Sequence, residues 1–157
     1  MTIPLDDRGL LLGDGLFETL LAIDGEPVRL PVHLDRMAAG CEVLGLPPLD
    51  RRRAEALVRE AARSAAAPRV AVRLTLTAGS GGRGLDRPSD SAPRLFATAA
   101  PSVRPEAPAR LATATIRRNE SSPASRLKTL SYLDNVLARV EARDHGAARC
   151  PLSGLAR

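Results

Sequence analysis

Aromatic residues are scarce in this sequence. They make up 2% of its 157 residues, with two phenylalanines, one tyrosine and no tryptophan, whereas hydrophobic residues as a class reach 44%. The chain can therefore build one core, and we expect that core to be aliphatic. A net charge of +5 suits a nucleic-acid partner, but so few rings leave little on which to stack bases. The composition therefore does not favour nucleic acid as the partner.

Cysteine is also scarce, and long apolar runs are absent. The two cysteines, Cys41 and Cys150, form no disulfide framework, which is typical of a protein in a reducing compartment. The sequence shows no signal peptide, no apolar run long enough to cross a bilayer and no spacing of zinc ligands. These features predict a cytoplasmic protein with no membrane partner and no metal site.

The scarcity of lysine is the most informative feature of the composition. Lys128 is the only lysine among the 23 basic residues, and all the others are arginine. Arginine does not give up its proton in proteins, whereas a lysine amine can be deprotonated and attack a carbonyl carbon to form a Schiff base. A position that remains lysine in such an arginine-rich chain therefore indicates amine chemistry. The alternative is an ordinary surface charge.

Hydrophobic periodicity predicts a mixture of strands and helices. The clearest strand is Arg69 to Ala78, where apolar and polar residues alternate. We predict further strands at Phe17 to Ile23, Pro27 to Leu30, Leu95 to Ala99 and Leu111 to Ile116, and helices at Pro31 to Leu44, Asp50 to Ala66 and Leu130 to Arg143.

The last predicted helix follows Lys128 directly. Thr129 or Ser131 is expected to cap it, and its apolar stripe is expected to be formed by Leu130, Leu133, Leu137 and Val140. Tyr132, the only tyrosine, lies four residues after Lys128 and would point the same way on a helix. Its phenol suits a hydrogen bond to a cofactor ring oxygen, the alternative being a core residue with its hydroxyl in water.

This order of elements predicts an α+β protein. A two-layer α/β domain would occupy residues 1–105, and residues 106–157 would begin a second α/β domain that is incomplete. The boundary falls in the proline-rich stretch Pro101 to Pro108, which is the best linker in the chain.

Two arginines are candidates for binding anions. Arg36 lies near the start of a predicted helix, where backbone N–H groups favour a phosphate, although a helical arginine is most often a surface residue. Arg83 is the only functional side chain in the glycine-rich loop Gly79 to Gly84. Loops that cradle phosphate lead into a helix, whereas this one leads into Asp86-Arg87-Pro88. Arg83 therefore suits a substrate carboxylate better than a phosphate.

Four segments, taken in order, resemble the class-IV (fold-type IV) aminotransferases, a pyridoxal-phosphate family. The matching segments are Asp7-Arg8-Gly9 with Gly13 to Thr19, His33-Leu34-Asp35-Arg36, Gly79 to Gly84, and Lys128 to Leu133. The glycine-rich loop is most similar to that of the aminodeoxychorismate lyase branch, which makes 4-aminobenzoate and pyruvate. The resemblance covers residues 5 to 147.

The resemblance implies a site for pyridoxal 5′-phosphate. In it Lys128 carries the internal aldimine and acts as general acid and base, Arg36 binds the cofactor phosphate and Tyr132 contacts the cofactor ring. Phe17 lines the substrate pocket, and Arg83 binds the substrate carboxylate. The substrate is an amino acid or aminodeoxychorismate, and the full-length form is expected to be a homodimer.

The resemblance also predicts a chain truncated at its C-terminus. After Gly146 the run Ala147-Ala148-Arg149-Cys150-Pro151 departs from the family pattern, and Ser131 replaces the usual asparagine. The glutamate that pairs with the pyridine nitrogen is due at about Arg157. We therefore expect a lyase of the aminodeoxychorismate type or a related aminotransferase. The alternative is a catalytically incompetent fragment with an incomplete cofactor site.

Overall fold

The chain forms two units that combine helices with strands, so the predicted α+β class is confirmed. The computed structural model describes residues 2–81, 84–104, 106, 108–144 and 146–147. The first unit is Met1–Val103 with Lys128–Leu130, and the second is Arg104–Leu127 with Ser131–Arg157. The domain boundary after residue 105 stays a prediction.

The first unit is built on a four-stranded antiparallel sheet with the order β2-β1-β3-β4. Its strands are β1 (Gly15–Ile23), β2 (Glu26–Pro27), β3 (Arg69–Thr77) and β4 (Arg94–Pro101). β1 and β3 pair over their whole lengths, from Gly15 opposite Thr77 to Ile23 opposite Arg69. β2 is much shorter than predicted and pairs only with Ala22 and Ile23. On the side of β1 away from β3, β2 therefore pairs with the end of the strand only.

Helices α2 and α3 pack on the sheet and bury its aliphatic face. The helices of the first unit are α1 (Arg8–Leu12), α2 (Leu30–Leu44) and α3 (Arg51–Ser64). Because side chains alternate along paired strands, the buried aliphatic residues of β1 and β3 share one face, whereas Phe17 is buried on the other. The helices bury Leu34, Met37, Cys41, Ala54, Val58 and Ala62, and the sheet buries Leu16, Leu20, Val70, Val72, Leu74 and Leu76.

Local sequence explains where these helices begin and end. The Asp50 side chain accepts a hydrogen bond from the Arg53 N–H at 3.0 Å and caps α3, which begins one residue after the predicted start. α2 ends at Gly45, whose φ of 61° is the left-handed conformation that glycine adopts without strain. Gly40 lets α2 approach β1 closely, since a Cβ there would lie 2.8 Å from a methyl carbon of Leu16. Leu34, Met37 and Cys41 of α2 are buried, whereas Leu44 is partly exposed.

The second unit differs more from the predictions. Its helices are α4 (Pro123–Arg126) and α5 (Leu133–Asp144), and residues 111–116 form no strand. α5 begins three residues later than predicted, with the Tyr132 carbonyl accepting hydrogen bonds from the N–H groups of Asn135 and Val136. Neither Thr129 nor Ser131 caps it. The reason is that residues 128–130 pair with β1 and are extended there.

The apolar stripe predicted for α5 is largely exposed. Ala138 and Ala142 are the buried residues of this helix, whereas Leu133, Leu137 and Val140 are about half to two-thirds exposed, and Leu130 lies before the helix. Thr115 is hydrogen-bonded to Glu141, with its N–H donating to the carboxylate at 2.9 Å. Among the residues that the structure describes, no helix combines the length and apolar character needed to cross a bilayer.

Candidate active site

Lys128 is brought to β1 by strand pairing. Thr129 forms an antiparallel bridge with Leu16, and it is only 5% exposed. The Lys128 carbonyl accepts a hydrogen bond from the Phe17 N–H at 2.9 Å, and the Leu130 N–H donates to the Gly15 carbonyl at 3.0 Å. These bonds use the edge of β1 that β2 leaves open. The backbone around the single lysine is therefore fixed by β1 and not by a helix.

Gly15 permits this close pairing. A Cβ on Gly15 would lie 2.3 Å from the Leu76 carbonyl oxygen and 2.8 Å from a methyl carbon of Leu130. The first distance is not compatible with a side chain, because the carbonyl belongs to the backbone of β3. The glycine that ends the Gly13-Asp14-Gly15 run is thus needed for strand packing at the lysine, which periodicity alone did not indicate.

The Lys128 amine lies on the ring of Phe17. Its Nζ atom is 4.1 Å from the ring centroid, and the guanidinium carbon of Arg73 is 3.6 Å from the same centroid. Cations are attracted to aromatic faces at these distances. Phe17 is 3% exposed, so the ring is a fixed wall beside a half-buried amine. The structure thus brings together two of the predicted site residues, Lys128 and Phe17.

Arg73 is a residue of this group that sequence reasoning did not single out. It lies on the polar face of β3 and opposite Thr19 in β1, so it is diagonal to Phe17. The alternation of β3 predicted that Arg73 faces away from the aliphatic core. What the sequence did not provide was the register that places it on the Phe17 ring.

Arg36 is held by the next residue of β1. Its Nε atom donates to Oε1 of Glu18 and its Nη2 atom donates to Oε2, each at 2.6 Å. Nδ1 of His33 is 2.8 Å from Oε2 of the same carboxylate. Glu18 is 1% exposed, and burial raises the pKa of its carboxyl. The hydrogen bonds from Arg36 and His33 outweigh burial, so the net pKa is below its usual value.

The polar residues near the N-terminus have a structural role. Nε of Arg8 donates to Asp14 at 2.9 Å, and its terminal nitrogens donate to the carbonyls of Gly84, Leu85 and Asp86. Arg87 donates to both oxygens of Asp14. The hydrogen bond from Arg87, helped by Arg8, lowers the pKa of the Asp14 carboxyl despite burial. The network fixes residues 84–87 to the turn before β1.

Two predicted site residues are not placed at this group. Tyr132 belongs to the second unit, where it is 37% exposed and starts α5 through its carbonyl. Arg83 lies outside the described residues. The predicted roles of both residues stay predictions.

The sequence of this chain matches the model of the amino-transferase class IV family over residues 15–151. The match includes β1, the Glu18 and Arg36 pair and Lys128. The chain belongs to this family. Class IV aminotransferases and aminodeoxychorismate lyases are enzymes that use pyridoxal phosphate.

Individual class IV proteins are similar in sequence and in structure. A putative branched-chain-amino-acid aminotransferase of Methanocaldococcus jannaschii is 34% identical over 92% of this chain and 51% of its own length. The 4-amino-4-deoxychorismate lyase of Pseudomonas aeruginosa is 32% identical, with a TM-score of 0.80 over 99% of this chain and 58% of its own. A pyridoxal-phosphate-bound hypothetical aminotransferase of Mycobacterium tuberculosis is 27% identical. Its TM-score is 0.78, and the match covers 99% of this chain and 57% of that protein's chain. The chain spans about half the length of the curated relatives it matches.

The side chains of this group fit the functional groups of pyridoxal phosphate. An aldehyde needs an amine, and Lys128 presents one beside the wall formed by Phe17. A phosphate needs an arginine edge that the protein does not already use. Arg36 binds Glu18 through Nε and Nη2 and is 54% exposed, so its other edge faces outward. The donor set in the described residues therefore suits this cofactor.

Proposed function

We propose that this protein is a pyridoxal-phosphate-dependent enzyme of the aminodeoxychorismate lyase type. It releases pyruvate and leaves 4-aminobenzoate. The proposal is supported by the position of the only lysine, whose amine lies 4.1 Å from the centroid of a buried phenylalanine on β1. The 32% identity to the Pseudomonas lyase supports the choice of reaction.

Each residue of the group has a defined task in this proposal. Lys128 attaches the cofactor through its Nζ atom and then moves the proton at the α-carbon of the substrate. Phe17 supplies an apolar wall that excludes water from the amine, and Arg36 holds the phosphate. Once bound, the cofactor supplies an electron sink for the bond broken at the substrate. Arg83 and Tyr132 keep their proposed roles toward the substrate carboxylate and the cofactor ring.

An amino-acid aminotransferase is the second candidate, and a specific observation favours it. The relative with 34% identity carries the name of a branched-chain-amino-acid aminotransferase. The two reactions differ in what they require: a transferase needs a 2-oxo acid to accept the amino group, whereas a lyase needs no acceptor. Pyruvate release from aminodeoxychorismate without any 2-oxo acid supports the lyase. Turnover that depends on an added 2-oxo acid supports the transferase.

The role of Lys128 can be tested without measuring activity. Pyridoxal phosphate is added to the full chain, borohydride is used to fix any imine, and the digested protein is examined by mass spectrometry. Since residues 1–157 contain one lysine, we expect the peptide that contains Lys128 to be the only peptide modified on a side chain, and the N-terminal α-amine is scored separately. Lys128→Arg keeps the charge and cannot form an imine, so its circular dichroism should match the wild type while the modification is lost. An unmodified wild-type lysine would remove the basis of the proposal.

A further inference from the structure

Glu18 is a buried carboxylate surrounded by donors. It lies on β1 between Leu16 and Leu20, on the face that the helices cover, and its side chain is 1% exposed. A carboxylate only accepts hydrogen bonds, so the nitrogen of His33 that lies 2.8 Å away must be the donor. With the two bonds from Arg36, three donors converge on one side chain. Such an arrangement holds the charged form of Glu18 despite its burial.

The way Arg36 binds Glu18 determines which edge of the guanidinium stays open. Both hydrogen bonds come from the side-on edge, Nε and Nη2. In the part of the chain that the structure describes, Nη1 takes part in no hydrogen bond, and the whole side chain is 54% exposed. A guanidinium is planar, so fixing the Nε edge also fixes the direction of the opposite edge. That opposite edge, formed by Nη1 and Nη2, can bind two oxygens of one anion.

We propose that Glu18 and His33 are positioning residues that aim the open edge of Arg36 at the phosphate of the cofactor. This inference rests on the proposed function. A long arginine side chain loses rotamer freedom when it binds, and that loss weakens binding. Glu18 removes this freedom before the cofactor arrives, because it holds the arginine in one orientation. His33 holds the carboxylate in turn.

The competing explanation is a purely structural ion pair, in which Glu18 only stabilises the contact between β1 and α2. The two explanations differ in their effect on ligands. A positioning role concerns the phosphate alone, so it affects pyridoxal phosphate and not pyridoxal, which has the same ring and aldehyde without the phosphate. A structural role acts on the whole site and affects both ligands equally.

The experiment measures the dissociation constants of pyridoxal and of pyridoxal phosphate for the full chain by absorbance. Their ratio is the phosphate preference. In Glu18→Gln the amide N–H groups oppose those of Arg36 and break the paired bonds. We expect the phosphate preference to fall about tenfold or more, the effect of losing one oriented charged hydrogen bond, while pyridoxal affinity stays within about twofold.

Asp35→Asn is the matched control. It changes a carboxylate to an amide on the same helix and next to Arg36, but Asp35 pairs with Arg51 at the surface. Its phosphate preference should equal that of the wild type. If Glu18→Gln does not fold, Glu18→Asp keeps the buried charge but is too short to accept both bonds in place, so it should show the same loss.

The outcomes separate the inference from the proposed function. An unchanged phosphate preference in the Glu18 variants, or an equal loss of both ligands, overturns the positioning role while Lys128 remains the anchor. A wild type that binds neither ligand overturns the proposed function itself. Competition by inorganic phosphate adds a readout without the cofactor: it should oppose pyridoxal phosphate binding in the wild type and lose potency in Glu18→Gln.

Discussion

Arg8 and Arg36 are both held by carboxylates, yet the two arginines are used in opposite ways. Arg8 is 4% exposed and donates to Asp14 and to three backbone carbonyls, so both of its edges bind protein groups. Arg36 is 54% exposed and donates through one edge only, to a carboxylate that is 1% exposed. In the pair of Arg8 and Asp14 the arginine is buried. In the pair of Arg36 and Glu18 the carboxylate is buried and the arginine is exposed.

In our proposal, this difference distinguishes an arginine that holds the fold from one that is prepared for a ligand. An arginine that has used its donors inside the protein stabilises a loop but has none left for a phosphate. An arginine fixed along one edge keeps two donors in a known direction. Both belong to short polar motifs in the sequence, and the motifs alone did not separate these roles.

The largest expected effect is on Arg8. Arg8→Met keeps much of the side-chain volume but removes the hydrogen bonds from Arg8 to Asp14 and to the carbonyls of residues 84–86, while Arg87 still binds Asp14. We expect a loss of about 3–5 kcal/mol in the free energy of unfolding, measured by urea denaturation, because several hydrogen bonds from one buried charged side chain are lost together. Arg52→Met, an exposed change on α3, is the control. A loss similar to that of the control would mean that Arg8 contributes no more to the free energy of unfolding than an exposed arginine does.

A smaller and pH-dependent effect is expected for Arg36→Ala. Removing Arg36 leaves buried Glu18 with His33 alone, which should cost about 1–3 kcal/mol near neutral pH. In the wild type the pKa of Glu18 is lowered. Its contribution is therefore present above the unfolded-state pKa of about 4.3 and is lost as the pH falls through the folded-state pKa.

Without Arg36, burial should raise the pKa of Glu18, so the variant should lack most of that contribution. The difference in unfolding free energy between wild type and Arg36→Ala should thus be largest near pH 7 and should narrow as the pH falls through the lowered folded-state pKa of Glu18. Denaturation measured between pH 3 and pH 7 tests this. A difference that stays constant over the range would mean that Arg36 does not control the charge of Glu18.

The smallest effect is expected for the surface pair of Asp35 and Arg51. Both side chains are at least half exposed, although the charged atoms are 2.7 Å apart. Asp35→Asn should change the unfolding free energy by less than about 1 kcal/mol, and added salt should reduce the change further. A larger, salt-insensitive loss would show that distance alone, without burial, sets the strength of these pairs.

Local sequence patterns correctly predicted most of the first unit. β1, α2, α3, β3 and β4 all lie close to their predicted ranges, because the burial of one face imposes a period of two on strands and 3.6 on helices. α1 was not predicted: it is one short turn, started by the Asp7 side chain accepting from the Gly9 N–H. The predicted strand at 111–116 is wrong: Leu111 takes part in a β-bridge, but the segment forms no continuous strand, and alternation alone does not show how far pairing extends.

The sequence by itself determined the aliphatic core and the mixed fold, and it led to the prediction for Lys128, because composition and periodicity are local properties that can be read without a partner. Tertiary structure decided the rest. It paired Thr129 with Leu16 and so moved the start of α5, and it placed Glu18 against Arg36. Those contacts join residues far apart in the chain, and their register depends on how strands and helices pack. No local pattern contains that information.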